Sequence, residues 1–227
     1  YLSVKKLYPE QERAVLGFIA GSGNTGYFGI PLVAILLGPD ALVVAIMVTI
    51  GLDLFQYTVG YYLMTRKSSG SNNALKKIAR NPLIWALVAG TIYVQLGLQL
   101  SEHVAVIATY FNGTYIILGM LVIGLGLGGA RQHKMDIRFI AGAFIAKFIL
   151  FPLAVLLLVV LDQRYSHVFS ELTHKAVLLL SLVPIASDAV AFATILDLHP
   201  QKTAHTVMLS SVFSILYVPI LAYMVVR

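Results

Sequence analysis

Of the 227 residues, 59% are hydrophobic and only 11% charged, against about 25% charged in an ordinary soluble domain. The bulk of the chain therefore belongs in lipid, and the absence of cysteine excludes disulfides, thiolate metal sites and cysteine nucleophiles. The net charge of +6 does not describe a nucleic-acid groove, because most of the basic residues fall in short connections between apolar runs.

The polar stretch from Tyr1 to Arg13 carries no cleavable signal. Seven segments long enough to cross a bilayer follow: 14–37, 41–64, 82–99, 104–128, 138–161, 174–197 and 204–226. The first has its helix breakers in the middle: Gly21, Gly23, Gly26 and Gly29, then Pro31. Each glycine costs a helix about 1 kcal/mol relative to alanine. Pro31 has no N–H to donate, and its ring clashes with the carbonyl of Tyr27. The backbone from Asn24 to Tyr27 is expected to unwind. The half-helix beyond it would then turn free N–H groups and a positive dipole end toward the membrane midplane, a cradle for a carboxylate. Asn24 and Thr25 add neutral donors there.

The second segment carries Asp53 in mid-span, and Asn81-Pro82 reads as an N-cap and first helical position for the third. Lys147 lies about eight residues, or ~12 Å, into the fifth span. It can snorkel to the interface or pair with either acid, and the sequence does not choose. The sixth segment is broken like the first. Pro184 frees the carbonyl of Leu180, and Asp188 follows with Ser187 close to the centre of the span. A carboxylate at that depth costs ~2.5–3.5 kcal/mol on insertion scales and marks a functional site by default. Asp188 could hold Na⁺ with Ser187 and freed carbonyls, or take up a proton, with Asp53 tuning the coupling.

Lys and Arg set the orientation. One set of connections holds Lys5, Lys6, Arg13, Arg66, Lys67, Lys76, Lys77, Arg80, Arg131, Lys134, Arg138 and Lys202; the alternate set holds only Arg164, Lys175 and Arg227. The first set faces the cytoplasm by the positive-inside rule. Residue 1 is then cytoplasmic and residue 227 outside, in a multi-pass protein of the inner (plasma) membrane. Laid without gaps on the second broken segment, the first puts Asn24-Thr25-Gly26 opposite Ala186-Ser187-Asp188, and the two copies run in opposite directions, as an inverted repeat requires. Three spans precede the second break (82–99, 104–128, 138–161) and none precedes the first. Three N-terminal spans are therefore expected to be absent from this chain. The division is 1–66, the rear part of the first repeat; 67–81, a cytoplasmic linker; and 82–227, the second repeat.

Asn24-Thr25-Gly26-Tyr27-Phe28-Gly29-Ile30-Pro31-Leu32 resembles the signature of the auxin efflux carrier family. So does the stretch from Pro184 to Ala193, with support from Arg80-Asn81-Pro82-Leu83 and the Gly119 to Gly129 run. The resemblance covers essentially the whole chain and suits a bacterial member. It implies an all-α polytopic membrane protein of ten helices in two inverted repeats, seven of them present here. It further implies two broken helices crossing at midplane beside a substrate pocket, and alternating access. In that family the cargo is typically an organic anion such as indole-acetate or a dicarboxylate. The chain lacks the Asn-Pro-Asn triplet of plant members, which argues against auxin itself.

The expected activity is secondary transport of a small organic anion. Asn24, Thr25, Gly26, Pro31, Pro184 and Ser187 would form the substrate site, Asp188 and Asp53 the coupling groups. No cofactor or metal is expected beyond Na⁺ or H⁺ as coupling ion. The partners are the anion and the bilayer, a homodimer is left open, and no nucleic acid is expected. The nearest rival is a Na⁺-coupled bile-acid-type symporter; a passive channel, without saturation or coupling, is another. An intramembrane aspartyl protease would use Asp53 and Asp188, but Thr49-Ile50-Gly51-Leu52-Asp53 lacks the Gly-x-Gly-Asp such enzymes carry. Gly124 to Gly129 spells a dinucleotide fingerprint with no strand before it and no helix after it, and reads instead as a packing face. Asn112-Gly113-Thr114 spells a glycosylation sequon inside a span, where no sugar is expected.

Overall fold

The computed structural model describes residues 7–65, 82–99, 101–111, 114, 121 and 135–226. Every regular element among them is helical. The order is α1 (Glu10–Gly21), a π-helical turn (Thr25–Gly29), α2 (Ile30–Leu37), α3 (Asp40–Phe55), a second π turn (Gln56–Gly60) and α4 (Tyr61–Thr65). Then come α5 (Pro82–Gln95), α6 (Ile137–Phe144), a third π turn (Ile145–Leu150), α7 (Phe151–Leu161), a fourth (Asp162–Ser166), α8 (Glu171–Ser181), α9 (Asp188–Ile195) and α10 (Pro200–Val226).

Four helical stretches among the described residues are long and apolar enough to cross a membrane: Glu10–Leu37, Asp40–Thr65, Ile137–Ser166 and Pro200–Val226. These match four of the seven expected segments. The 174–197 segment does not qualify as one helix because it is interrupted: α8 has 11 residues and α9 only 8. Helix α5 has 14 residues, and the 104–128 segment is helical over 102–111 but lies largely outside the described residues. Also outside them are the 67–81 linker, the Asn81 cap and nearly all of the Gly119 to Gly129 run. Large apolar side chains stand exposed along α3, α7 and α10, among them Met47, Leu157, Leu158, Ile215 and Leu216. That surface suits lipid and would be an aggregation hazard in water.

Two clusters hold the helices together, and each takes one half of each broken segment. In the first, Val15, Leu16, Phe18 and Ile19 of α1 pack with Ala189, Val190, Phe192 and Ala193 of α9, closed by Phe139 and Ala143 of α6 and by Ala204 and Val207 of α10. In the second, Val33 of α2 packs with Ala176, Leu179 and Leu180 of α8, and with Ala41 and Ala45 of α3. The chain passes from the first cluster to the second at one break and returns at the other.

Polar side chains gather at the two ends. At one, Lys202 of α10 pairs with Glu12 of α1 at 2.5 Å and with Asp136, the N-cap of α6, at 2.7 Å. Beside them Arg138 donates to the Leu7 carbonyl and lies over the Tyr8 ring. At the other end of Ile137–Ser166, some 45 Å away at 1.5 Å per residue, Asp162 accepts from the N–H groups of Val168 and Phe169 and meets His174 at 2.9 Å. A cavity of about 480 Å³ opens there, lined by Asp162, Gln163, His167 and His174 among others.

Candidate functional site

The first break is narrower than the glycine pattern suggests. Only Ser22 to Asn24 leave the helix; Thr25–Gly29 winds as a wide π turn. Asn24 explains why. Its side-chain oxygen accepts from the Tyr27 N–H at 3.3 Å, and its carbonyl accepts from the N–H groups of Phe28 and Gly29. The donors expected to be free are thus largely capped by Asn24 itself, the usual work of an N-cap asparagine. A turn closed five residues ahead also suits the approach to Pro31, which has no N–H to offer.

The second break runs from Leu182 to Ser187 between α8 and α9. It is pinned from the side, where the Ser210 hydroxyl of α10 accepts from the Ile185 N–H at 3.2 Å. Ser187 precedes α9, and its carbonyl accepts from the Val190 N–H. Asp188 is the first residue of α9, where a carboxylate meets the positive end of the helix dipole.

The two breaks touch. The Asn24 N–H donates to the Pro184 carbonyl at 2.9 Å. Beside this joint lies a cavity of about 790 Å³, walled by Gly23, Asn24, Thr25, Gly26 and Pro31 from the first segment and by Ala186, Ser187, Asp188 and Phe192 from the second. Helix α3 and its π turn supply Thr49, Asp53, Gln56 and Tyr57. Of the residues singled out from sequence, Asn24, Thr25, Gly26, Pro31, Asp53, Ser187 and Asp188 all line this cavity. Pro184 does not; it stands behind the wall and holds the joint through its carbonyl.

Sequence reasoning missed Tyr57, Gln56 and Thr49. The Tyr57 hydroxyl donates to Asp188 Oδ2 at 3.0 Å, and Gln56 Nε2 donates to Asp53 Oδ1 at 3.2 Å. Buried oxygens of Thr49 and Gln56 have no hydrogen-bond partner among the described residues. A signal existed: Thr49, Asp53, Gln56 and Tyr57 follow the helical spacing of one face through Asp53. Phe192 forms the apolar floor, with Phe18 edge-on at 5.5 Å and Tyr57 at 5.9 Å.

Lys147 follows neither expected course. It is 0% exposed, so it does not snorkel, and it pairs with neither acid; its Nζ has no hydrogen-bond partner among the described residues.

A carrier needs a polar cavity deep among apolar helices, with broken backbone admitted only where protein or water surrounds it. Residues 71–222, more than half of the chain, match the family described as membrane transport protein. The chain belongs to that family. An uncharacterized transporter of Methanothermobacter thermautotrophicus is 24% identical over 199 residues, covering 87% of this chain and 63% of its own length. One from Escherichia coli K12 is 31% identical over 194 residues, covering 79% and 58%. One from Methanocaldococcus jannaschii is 25% identical over 224 residues, covering 96% and 71%. The chain thus spans about three-fifths of the length of the first two relatives. The family and these relatives are transporters, not enzymes, which removes the protease alternative. No solved structure matches the chain.

Proposed function

We propose that the protein is a secondary transporter of a small organic anion, a carboxylate such as a dicarboxylate or an auxin-like acid, working by alternating access. The observation that carries this reading is the cavity of about 790 Å³ at the joint of two broken segments, lined by both of them. Asn24, Thr25, Gly26 and Ser187 present polar groups to the substrate, Pro31 and Pro184 keep the two interruptions open, and Asp188 with Asp53 takes up H⁺ or Na⁺. The Tyr57 hydroxyl on Asp188 favours a coupling role for that acid, because a fixed donor lets a buried carboxylate exist charged between loading events.

An inverted repeat is supported by the packing of α1 with α9 and of α2 with α8. Placement of residue 1 on the cytoplasmic side of the plasma membrane is supported by Lys202 and Arg138 meeting the start of α1 at one end of the bundle.

The test is counterflow in proteoliposomes of the natural full-length protein. Radiolabelled carboxylates are offered with pH and Na⁺ varied independently. Saturable exchange that follows one gradient is expected. Conductance without saturation would replace the carrier by a channel.

A further inference from the structure

The cavity presents a difficulty for an anion. Among the described residues its walls carry two carboxylates, Asp53 and Asp188, and no lysine, arginine or histidine. A carboxylate entering such a space meets like charge and no counter-ion, which a desolvated anion does not tolerate. One cation stands against a residue of the wall. Gly23 lines the cavity, and a Cβ added to it would lie 2.8 Å from Lys147 Nζ and 2.9 Å from Val183 Cγ2. The amine fills the space that a side chain at position 23 would need.

Lys147 is held there by construction. It lies in the π turn Ile145–Leu150, in which Ile145, Ile149 and Leu150 face outward while Lys147 and Phe148 are buried. π turns of this kind recur at functional sites, because the extra residue re-aims a side chain. Pro152 follows and cannot donate to the Phe148 carbonyl four residues back. The Tyr217 hydroxyl of α10 takes that place, donating to the Phe148 carbonyl at 2.7 Å. An amine aimed inward in this way would ordinarily be matched by a carboxylate or a ring of carbonyls. Here its close neighbours are the backbone of Gly23 and the face of the Phe151 ring, 4.4 Å from Nζ to the centroid.

We propose that Lys147 is the cationic anchor of the carrier: the carboxylate of the transported anion pairs with its Nζ past Gly23. The inference rests on the anion-carrier reading and deepens it. The substrate supplies the partner that the described residues do not, and glycine at 23 keeps a side chain from standing against the amine. The flexible four-carbon stem leaves Nζ free to turn toward a carboxylate held beside Gly23.

The test uses the natural full-length protein in proteoliposomes with radiolabelled succinate and indole-3-acetate as probes. Lys147→Gln and Lys147→Met should raise KM for the carried acid tenfold or more, with Lys147→Arg recovering part of the loss. Lys175→Gln, at the far end of α8, should leave KM unchanged. If wild type carries an acid and Lys147→Gln carries it with unchanged KM, the anchor is overturned and the carrier reading stands. If wild type carries neither acid, both fall. Should the neutral variants not fold, wild type decides alone. Reductive methylation of Lys147 with formaldehyde and dimethylamine–borane as the hydride donor, read by mass spectrometry, should drop at least fivefold under saturating carried acid. Unchanged labelling overturns the proposal.

Discussion

The two interruptions reach the same end by different means. The first is made of glycines, is closed by an asparagine that caps its own turn, and offers only neutral groups to the cavity. The second is made by a proline, is clamped from outside by Ser210, and ends in an acid that starts the next helix. A glycine-built break can change shape cheaply, whereas a proline-built, externally pinned one is stiff. The division suggests that the first adapts to cargo while the second carries charge.

Substitutions can break or sharpen that division. The largest effect is expected from Asp188→Asn, which keeps the shape of the second break but removes its charge. Gradient-driven uptake should fall at least tenfold, while Asp53→Asn, whose acid is held by Gln56 alone among the described residues, should cost several-fold less. Equal losses would merge the two acids into one role. Next come two glycines three residues apart. Gly23→Ala forces Val183 and Lys147 aside, an overpacking that costs about 1–3 kcal/mol and should lower the Tm in detergent by several degrees, at roughly 2–4 °C per kcal/mol. Gly26→Ala meets nothing within 4 Å; it should leave Tm unchanged and raise KM by intruding on the cavity. A matching loss of Tm in both would remove the distinction.

Tyr57→Phe deletes the 3.0 Å bond to Asp188, a hydrogen bond to a charged group of the class valued at about 1.5–3 kcal/mol. Ion-coupled uptake should weaken several-fold, with substrate counterflow at fixed ion concentration much less affected. The smallest effect belongs to the charged end. The hydrogen bond from Lys202, aided by the Phe139 N–H, holds the Asp136 carboxyl below the usual carboxylate range. The native pKa is therefore the lower one. Its stabilisation is present above about pH 4 and fades as pH falls through the native value. Asp136→Asn should lower the Tm near neutral pH by a degree or two and flatten the acid limb of thermal melts, because the stabilisation it removes is the part that fades in acid.

Much of this was legible in the sequence because membrane helices forbid what both breaks contain. Glycine clusters, mid-span prolines and a carboxylate in an apolar run each cost enough to signal a purpose, and seven of the eight chosen residues line one cavity. Pro184 was chosen because its ring frees a carbonyl at Leu180; that its own carbonyl also makes the joint had no mark in the sequence. Tyr57 and Gln56 passed unseen because an aromatic and an amide within a span read as packing until a neighbour is known. Lys147 could not be placed at all, since inward and outward rotamers of a lysine leave the same letters in the chain. The π turns were equally silent: one extra residue per turn has no compositional mark.

The bond from the Asn24 N–H to the Pro184 carbonyl has a last implication. Both partners are peptide groups, so no exchange of side chains can delete it, save for an imino acid at position 24. The joint of the two segments is therefore written in backbone rather than in residue identity. Its surroundings can be recast for new cargo while the hinge itself stays out of reach of ordinary mutation.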